Sequence, residues 1–454
     1  MSGQNIAWFT NLILIYQSII NLIMKKVIVI GGGLAGLSCS CSLIESGAEV
    51  ILLEASPKLG GRAYSFIDEN TGDIIDNGQH IMMGCYENTI EFLNQIDAAE
   101  QLLIQDELRV PFVMNDGSIH FLSSSNNRYP INLLRSIIKF TALSIKERIR
   151  VLDLFLDLLC FEEEDLIDLT VKEWLLNESQ DENSIKILWE VLAIGTLNSK
   201  IEEASAGVFV NVLKRIFLGG QEASKIMLPI NGLSEMYVAP AAEFIRRRGG
   251  TIVVSERVTG VTFESDEVVR IDTNKNSYTE FDFVVSTIPL HALSKIESIE
   301  KILNLQLNQI KYSPILSINI WLSKNEFTES FYALVDSDIH WLFNHGSYIS
   351  LVTSAAEGLI NLTDEEIMRK TISQLSNNFC VFSPDLILSY KILKEKRATY
   401  IPSSESIICR NRITDSFGNF ILAGDWTELM LPATIESAVL SGRKAAAKIL
   451  EYNR

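Results

Sequence analysis

Three glycines and one acid near the start of the chain could together hold a phosphate and a sugar: Gly31, Gly33, Gly36 and Glu54. Gly31 permits a tight turn, Gly33 lets the backbone approach a pyrophosphate, and Gly36 lets a helix pack closely on a strand. Glu54 follows the glycines by roughly 20 residues, the spacing at which an acid can accept hydrogen bonds from a ribose. This GxGxxG pattern with its acid indicates a dinucleotide site.

A strand, a helix and a second strand must position these residues. Residues 27–30 form a β-branched run of the kind found in buried parallel strands. The apolar period then becomes helical. The helix opens with Leu34 and Ala35, so that its first N–H groups face the phosphates, and Gly47 ends it. A second strand at residues 50–53 leads directly to the acid, which completes a βαβ nucleotide-binding unit.

Two further stretches extend the predicted site. In the first, Gly60 and Gly61 allow close backbone approach, and Arg62 can pair with phosphate. Because this loop directly follows the ribose-binding acid, it favours a longer dinucleotide, FAD, over a nicotinamide cofactor. The second stretch is a bend with Gly78 and His80. The sequence leaves two interpretations of that histidine: a turn residue with satisfied hydrogen bonds, or a group beside the flavin ring that could donate a proton.

The last predicted contribution comes from near the C-terminus. A strand at residues 419–423 ends in Gly424, which permits close approach, and Asp425, which can bond a ribityl hydroxyl or a water on the pyrophosphate. Ala433 and Thr434 follow at the predicted start of a helix, whose N-terminal dipole could stabilise negative charge on a reduced flavin. The C-terminal helix would thus complete the site that the first glycine turn opens.

Composition limits the class of protein. With 454 residues, 47% of them hydrophobic, the chain can bury a large core, and we expect two domains. A net charge of −18 leaves no excess of lysine or arginine to neutralise phosphates, which argues against nucleic acid as a partner. The six cysteines lack CxxC spacing, which predicts reduced thiols in a cytosolic chain. The five isolated histidines provide no metal site.

The order of the elements predicts an α/β fold in which a Rossmann-like FAD-binding domain is interleaved with an α+β substrate domain. A run at residues 283–288 adds a buried parallel strand. The alternating residues 313–322 predict a strand of a mostly antiparallel sheet, together with residues 349–353 and the segment near His340. The predicted FAD-binding domain comprises residues 25–100, 226–300 and 406–454. The predicted substrate domain comprises residues 101–225, expected to be helical, and residues 301–405.

Residues 1–24 precede the first strand, and residues 6–24 are apolar and uncharged. They lack the basic region and the cleavage site of a secretory signal. Three interpretations remain: an upstream extension with Met24 as the natural start, a helix lying on a membrane, or a membrane span. A span would place Lys25 and Lys26 in the cytoplasm.

Residues 131–160 combine long helical stretches with a cluster of basic side chains: Arg135, Lys139, Lys146, Arg148 and Arg150. In a chain this acidic, cations interleaved with apolar residues indicate binding to a membrane surface. The alternative is an ordinary helix pair whose apolar faces pack inward. Residues 208–217 are a second such segment, and the two could border the mouth of a lipid-accepting pocket. We therefore expect peripheral attachment to the inner face of the cytoplasmic membrane.

Across residues 25–454 the chain resembles the superfamily of FAD-dependent amine oxidases and phytoene desaturases. Two blocks, DNGQH at residues 76–80 and GDWTELMLPATIESAVLSG at residues 424–442, look most like its squalene-associated branch, the hydroxysqualene dehydroxylases. The resemblance implies reduction of hydroxysqualene to squalene in a bacterial route that often feeds hopanoids, with an unknown electron donor. It also implies FAD contacts from Gly31, Gly33, Gly36, Glu54, Arg62, Asp425 and, through its backbone near the adenine, Val258.

Other functions fit the same residues. A carotenoid-type desaturase, or another FAD-dependent isoprenoid or amine oxidase, would pass hydride to oxidised flavin instead. A non-catalytic prenyl-binding escort protein would have no need of an intact cofactor motif. Absorbance of the purified protein separates the escort protein from the enzymes, and the identity of the product separates the enzymes from each other.

Overall fold

The computed structural model describes residues 25–124, 129–296, 299, 310–413 and 416–452, and its first layer is a six-stranded sheet, termed the nucleotide sheet. Neighbouring strands are parallel except for the last pair. In spatial order the strands are Thr251–Val253, Glu49–Leu53, Lys26–Ile30, Phe283–Ser286, Phe420–Leu422 and Ser416–Phe417. The predicted buried parallel strands are confirmed. Val27 and Val285 are fully buried, as a sheet covered on both faces requires.

Helices cover the nucleotide sheet. The helix Leu34–Glu45 packs against the C-terminal helix Ile435–Glu451 and against Ala239–Arg247. A Cβ added to Gly442 would lie 2.1 Å from Ala35 O, so the first and last helices meet at backbone distance. The two ends of the chain are therefore joined in one layer.

The ends of two of these helices test the sequence predictions. Gly47, with a φ of +91°, follows the end of the first helix as predicted, because glycine adopts this left-handed conformation without steric cost. The last helix starts slightly later than expected, at Ile435. Thr434 is its N-cap, and the Thr434 hydroxyl accepts a hydrogen bond from Ser437 N.

A seven-stranded sheet, termed the substrate sheet, forms the second layer. Its strands are antiparallel except for one parallel pair, Phe331–Leu334 with Arg109–Val113. In spatial order the strands are Ile387–Tyr400, Tyr312–Leu322, Tyr348–Thr353, Trp341–Asn344, Phe331–Leu334, Arg109–Val113 and Ile119–Ser123. The predicted antiparallel sheet around residues 313–322 and 349–353 is therefore confirmed. The stretch at residues 101–225 contributes two of these strands and is not wholly helical as predicted.

Nine helical segments follow within residues 131–218, and they form the largest apolar core together with one face of the substrate sheet. Their bounds are Ile131–Lys139, Ile145–Asp157, the 3-10 turns Leu158–Cys160 and Glu163–Leu166, Val171–Asn177, Glu182–Ser184, the π-helical turn Ile185–Trp189, Glu190–Leu197 and Ala206–Leu218. The predicted membrane-facing role of residues 208–217 is wrong. Val208 and Phe209 are fully buried, and the Phe209 ring lies 6.3 Å from the ring of Trp174 and 6.5 Å from that of Trp189.

Smaller elements connect the two layers. Ser65–Ile67 and Ile74–Asp76 form a hairpin, termed the clamp hairpin. One three-stranded sheet comprises Met82–Met83, Ile226–Pro229 and Leu102–Ile104. A second three-stranded sheet comprises Val258–Glu264, Glu267–Thr273 and Ser277–Tyr278. Further helices are Glu87–Gln95, Leu290–Leu293, Asp364–Asn378 and Ser404–Asn411. The chain enters the nucleotide sheet in separate stretches, while the exact domain boundaries stay predictions.

Three expectations concern the environment of the chain. The six cysteines form no disulfide with one another in the described chain, and their reduced state stays a prediction. Across the described part of the chain, no helix combines the length and apolar character that crossing a membrane requires. The predicted extension or membrane segment at residues 1–24 lies outside the described residues.

Candidate active site

The glycine turn after the first strand lies directly against a second glycine loop, backbone to backbone. Gly31 has a φ of +107° and Gly61 a φ of +61°. A Cβ added to Gly33 would meet only Gly61 Cα, at 3.7 Å, within 4 Å of it. The two backbones therefore form a cradle, and a side chain at Gly33 would enter it. A cradle lined by backbone at the start of a helix fits the pyrophosphate of FAD.

The helix start at this cradle is held by close packing. A Cβ on Gly36 would lie 1.8 Å from Gly31 O, so only glycine allows the helix to approach the turn. Thr287 Oγ1 donates to Ile30 O at 2.9 Å and lies 3.0 Å from Gly31 O, which fixes the turn from the next strand. The N-cap, Gly33, provides no side-chain cap, so the first N–H groups of the helix, including those of Leu34 and Ala35, can bind an anionic ligand.

Glu54 lies against the same turn. Its Oε2 accepts a hydrogen bond from Gly32 N at 2.6 Å, and its Oε1 accepts one from Ser56 N at 2.7 Å. Glu256 N donates to Glu54 O at 2.9 Å, which brings the strand beginning at Val258 beside this acid. The predicted ribose and adenine contacts, Glu54 and Val258, therefore occupy one end of the site, and their contacts with FAD stay predictions.

Arg62 and Asp425 meet at the other end of the cradle although 363 residues separate them. Arg62 Nη2 lies 2.7 Å from Asp425 Oδ1, and Arg62 Nη1 donates to Ala398 O, on the edge strand of the substrate sheet, at 3.0 Å. Burial alone would lower the pKa of Arg62, but the charge of Asp425 and the hydrogen bond to it raise that pKa. Gly424, with a φ of +131°, turns the chain into this contact. The sequence predicted both side chains for the site but not their pairing.

Sequence reasoning missed two residues, Arg410 and Tyr400, that hold the loop following Asp425 in place. Arg410 is buried and donates to Tyr400 Oη at 3.1 Å and to Trp426 O at 3.2 Å. Tyr400 Oη lies 2.8 Å from Leu431 O, so the two side chains hold the loop between Asp425 and the last helix. Burial raises the pKa of Tyr400 to about 12, which keeps its hydroxyl a donor. No local pattern marks either residue, because their partners come from a distant loop.

The last helix contributes a third residue that sequence reasoning missed. Ala433 and Thr434 lie at its start, and the buried Glu436 follows in its first turn. The Glu436 carboxylate points to another helix, where it accepts hydrogen bonds from the backbone and side chains of Asn88 and Thr89. The predicted interaction of this helix N-terminus with a flavin ring stays a prediction.

The DNGQH block first serves as a brace. Asn77 Oδ1 accepts from Tyr64 N at 2.9 Å, and Asn77 Nδ2 donates to Arg62 O at 2.8 Å, so this amide fixes the loop that carries Arg62. Asp76 Oδ1 accepts from Ser65 Oγ at 2.6 Å and holds the clamp hairpin closed. A polar, glycine-containing bend therefore has a structural reason for its side chains.

His80 ends this block, and its tautomer follows from one contact. Its Nδ1 lies 2.6 Å from Gly78 O. A carbonyl oxygen only accepts hydrogen bonds, so Nδ1 carries the proton, and Nε2 of the neutral ring is an acceptor. Burial lowers the pKa of His80, an effect that the charge of Asp76 partly opposes. The Nδ1 of His80 therefore holds the turn, and its Nε2 is available to accept a hydrogen bond from a ligand.

Gly78 lies next to the substrate sheet. A Cβ built on Gly78 would lie 3.8 Å from Ser317 Oγ and 4.0 Å from His80 Cε1, with nothing closer. The DNGQH bend therefore borders the substrate sheet on one side and, through Arg62, the cofactor cradle on the other. This position fits a place where a substrate and a flavin could meet.

A cluster of three glutamates lies outside the candidate active site. In the part of the chain that the structure describes, only Glu162, Glu163 and Glu164 come close enough together to share an ion. Glu163 pairs with Lys214 at 3.0 Å. We assign it no metal.

Comparison with known proteins agrees with the geometry. Residues 34–450 match the family of flavin containing amine oxidoreductases. The chain is 25% identical over 434 residues to a hydroxysqualene dehydroxylase from Zymomonas mobilis, covering 95% of this chain and 100% of that protein. It is 26% identical over 469 residues to a 15-cis-phytoene desaturase from an Oncidium hybrid, covering 94% of this chain and 78% of that protein.

A solved structure has the same fold. Cyclohexylamine oxidase from Brevibacterium oxydans superposes with a TM-score of 0.68 at 15% identity, over 94% of this chain and 99% of that one. The predicted α/β fold is thus confirmed. The backbone cradle of Gly33 and Gly61 and the charged pair at Arg62 suit the cofactor of this family. The chain belongs to the flavin containing amine oxidoreductase family and is an FAD-dependent oxidoreductase.

Proposed function

We propose that the enzyme reduces hydroxysqualene to squalene in a bacterial route to squalene and hopanoids. The observation that carries the proposal is a set of three relatives. Hydroxysqualene dehydroxylases from Zymomonas mobilis, Sinorhizobium fredii and Rhodopseudomonas palustris are 24–25% identical to this chain, and the matches cover 97–100% of their length. The DNGQH block, which braces Arg62 and borders the substrate sheet, was the sequence signal for the same branch.

The reaction replaces an allylic hydroxyl group by hydrogen. The C–O bond breaks, a C–H bond forms, and the hydroxyl group leaves with a proton as water. When bound in its reduced form, FAD would supply the hydride. The chain itself must hold a long apolar substrate, keep water out, and handle the proton at the departing oxygen.

The substrate sheet and the helical region share one apolar core. Phe331 and Phe343 on one sheet face belong to the same core as Phe209 and the other residues of the helical region. A substrate that borders this core would be kept away from water as its C–O bond breaks. His80 is the candidate for proton transfer, and only its imidazolium form could donate from Nε2.

We propose further that the helical region contacts a membrane. Six apolar side chains between residues 131 and 160 are 52–73% exposed: Ile131, Ile138, Ile145, Ile149, Leu156 and Leu159. We term them the apolar ridge. Ile145, Ile149 and Leu156 share one face of the helix Ile145–Asp157, since their spacing is four and seven residues. Lys139 and Lys146 are exposed beside the ridge.

This arrangement favours membrane contact over an ordinary helix pair. Leu133, Ile137 and Leu154 on the same two helices are buried and pack inward, so the helices already have a core. The exposed ridge is additional apolar surface, and its lysines suit anionic headgroups. A water-insoluble substrate could be collected from the inner face of the cytoplasmic membrane through this surface.

Anaerobic incubation tests the proposed reaction. Enzyme reduced with dithionite is mixed with hydroxysqualene, and the extracted lipid is analysed by mass spectrometry. We expect squalene in amounts that match the flavin present. If hydroxysqualene stays intact while oxidised enzyme introduces double bonds into a polyene, the enzyme is a desaturase and the proposal fails.

A further inference from the structure

One face of the strand Tyr312–Leu322 carries polar side chains inside the molecule. Leu316, Ile318 and Ile320 face the core beside the helix Asp364–Asn378. The alternate residues, including Ser317 and Asn319, face the other way, and both are only 2% exposed. Ser350, which is 4% exposed, lies directly opposite Asn319 on the neighbouring strand. Three polar side chains therefore cluster on this sheet face, and Lys391 lies opposite Asn319 on the other neighbouring strand.

The surroundings place this cluster between the clamp hairpin and the apolar core. Two residues beyond Asn319 on the same face, Trp321 lies opposite Tyr348. Trp321 Nε1 donates a hydrogen bond to Asp73 Oδ2 at 2.6 Å, next to the clamp hairpin. In the other direction, Ser317 lies opposite Val352, which belongs to the large helical core. Gly78 lies between Ser317 and His80, as described above.

Asn319 has a hydrogen bond missing. Its Nδ2 is buried and has no partner among the described residues. A buried amide that donates no hydrogen bond destabilises the fold, and such groups are uncommon unless a ligand or an ordered water completes them. Ser317, Ser350 and His80 suit a ligand with a polar atom, while Val352 and the core behind it suit a hydrocarbon chain.

We infer that Asn319 binds the hydroxyl oxygen of an isoprenoid alcohol, and this inference rests on the proposed function. The amide of Asn319 donates to the hydroxyl oxygen, and Nε2 of neutral His80 accepts the hydroxyl hydrogen. Ser317 lies on the same sheet face two residues away, about 7 Å along the strand. A hydrocarbon without oxygen would leave the amide unpaired, so Asn319 selects an alcohol over a polyene.

Binding to oxidised holoenzyme tests this inference, because oxidised flavin cannot supply hydride and no turnover occurs. Hydroxysqualene and squalene, each delivered in detergent micelles, are titrated against tryptophan fluorescence. We expect the parent enzyme to bind the alcohol about tenfold more tightly than the hydrocarbon, the value of one hydrogen bond. Asn319→Leu should weaken only the alcohol, bringing the ratio close to one. Ile320→Val, on the opposite face of the same strand, should leave the ratio unchanged.

Two outcomes overturn the inference: a parent enzyme without preference for the alcohol, or an Asn319→Leu enzyme that keeps it. Asn319→Val, with a residue that suits a strand, replaces the leucine variant if that protein does not retain FAD. The proposed function is tested separately by squalene formation. If no squalene forms but the preference exists and disappears in the variant, the proposed reaction fails and the alcohol site stands.

Discussion

At the scale of single residues, the cofactor cradle depends on two positions without side chains. Gly33 and Gly61 approach each other backbone to backbone. Arg62 and Asp425 supply charge beside the cradle, and Asn77 fixes the loop that carries Arg62. Substitutions at these positions should therefore have different effects, so that experiments can separate the roles of the residues.

We predict that Gly33→Val yields folded protein without FAD. The valine side chain would occupy the cradle that faces Gly61, where a pyrophosphate would lie. Flavin absorbance per protein should fall at least tenfold, while circular dichroism stays that of the parent. Gly358→Val is the matched control, because nothing lies within 4 Å of a Cβ there. Normal flavin content in Gly33→Val would remove the cradle from the site.

A second prediction concerns His80. We expect His80→Ala to retain FAD and to lose turnover by about 10²- to 10⁴-fold, the usual contribution of a proton-transferring side chain. Burial lowers the pKa of His80 below its usual value of about 6.5, so the imidazolium forms only in acid. Turnover of the parent should therefore rise as the pH falls below about 6.5, and the variant should lack that rise. Lost flavin in His80→Ala would mark a purely structural turn residue.

Asn319 leads to a prediction about stability. In the absence of substrate its buried Nδ2 has no partner among the described residues, so removing the amide removes an unfavourable group. Asn319→Leu should increase the free energy of unfolding by about 1 kcal/mol, measured by urea denaturation of the holoenzyme. Ile320→Val, which deletes a methylene, should decrease it by about 1 kcal/mol. Destabilisation by the leucine would show that the amide is satisfied by water.

At the scale of elements, local patterns predicted what neighbours in sequence determine. The strand at residues 27–30, the helix end at Gly47 and the alternation of residues 313–322 all depend on a few consecutive side chains. The prediction of a membrane-facing role for residues 208–217 failed because it depended on a distant part of the chain. Their apolar face is covered by Trp174 and Trp189, and no pattern within the segment reveals which distant element packs on it.

The helix pair at residues 131–157 gives the prediction at this scale. Lys139→Glu with Lys146→Glu should weaken binding to anionic vesicles at low salt by about 2–4 kcal/mol, since each lysine near such a surface contributes about 1 kcal/mol and reversal doubles the change. Arg150 is left unchanged because it pairs with Asp181 at 2.5 Å. The control reverses Lys396 and Arg246, which are also exposed. Equal sedimentation of both double variants with phosphatidylglycerol vesicles would refute this surface.

At the scale of the whole molecule, the site exists only where distant stretches meet. Arg62 comes from the first stretch of the chain, Ala398 from the substrate sheet and Asp425 from the last stretch, and Arg62 hydrogen-bonds to both others. The sequence predicted Arg62 and Asp425 for the site by residue type and local motif. It could not identify Tyr400, Arg410 or the pairing itself, because contacts across hundreds of residues leave no periodic signal.

This assembly predicts that FAD is held without a covalent bond and stabilises the whole fold. A ligand that binds only the native state adds about 2.7 kcal/mol at a concentration of 100 times its Kd, so the Tm of apoprotein should rise with the logarithm of added FAD. FMN is the matched control, because it lacks the adenosine half that Glu54 and the strand at Val258 would hold, and it should raise the Tm less. Acid precipitation of the holoenzyme should leave all yellow colour in the supernatant. Colour in the pellet, or a Tm that ignores added FAD, would contradict a noncovalent cofactor that joins the first and last stretches of the chain.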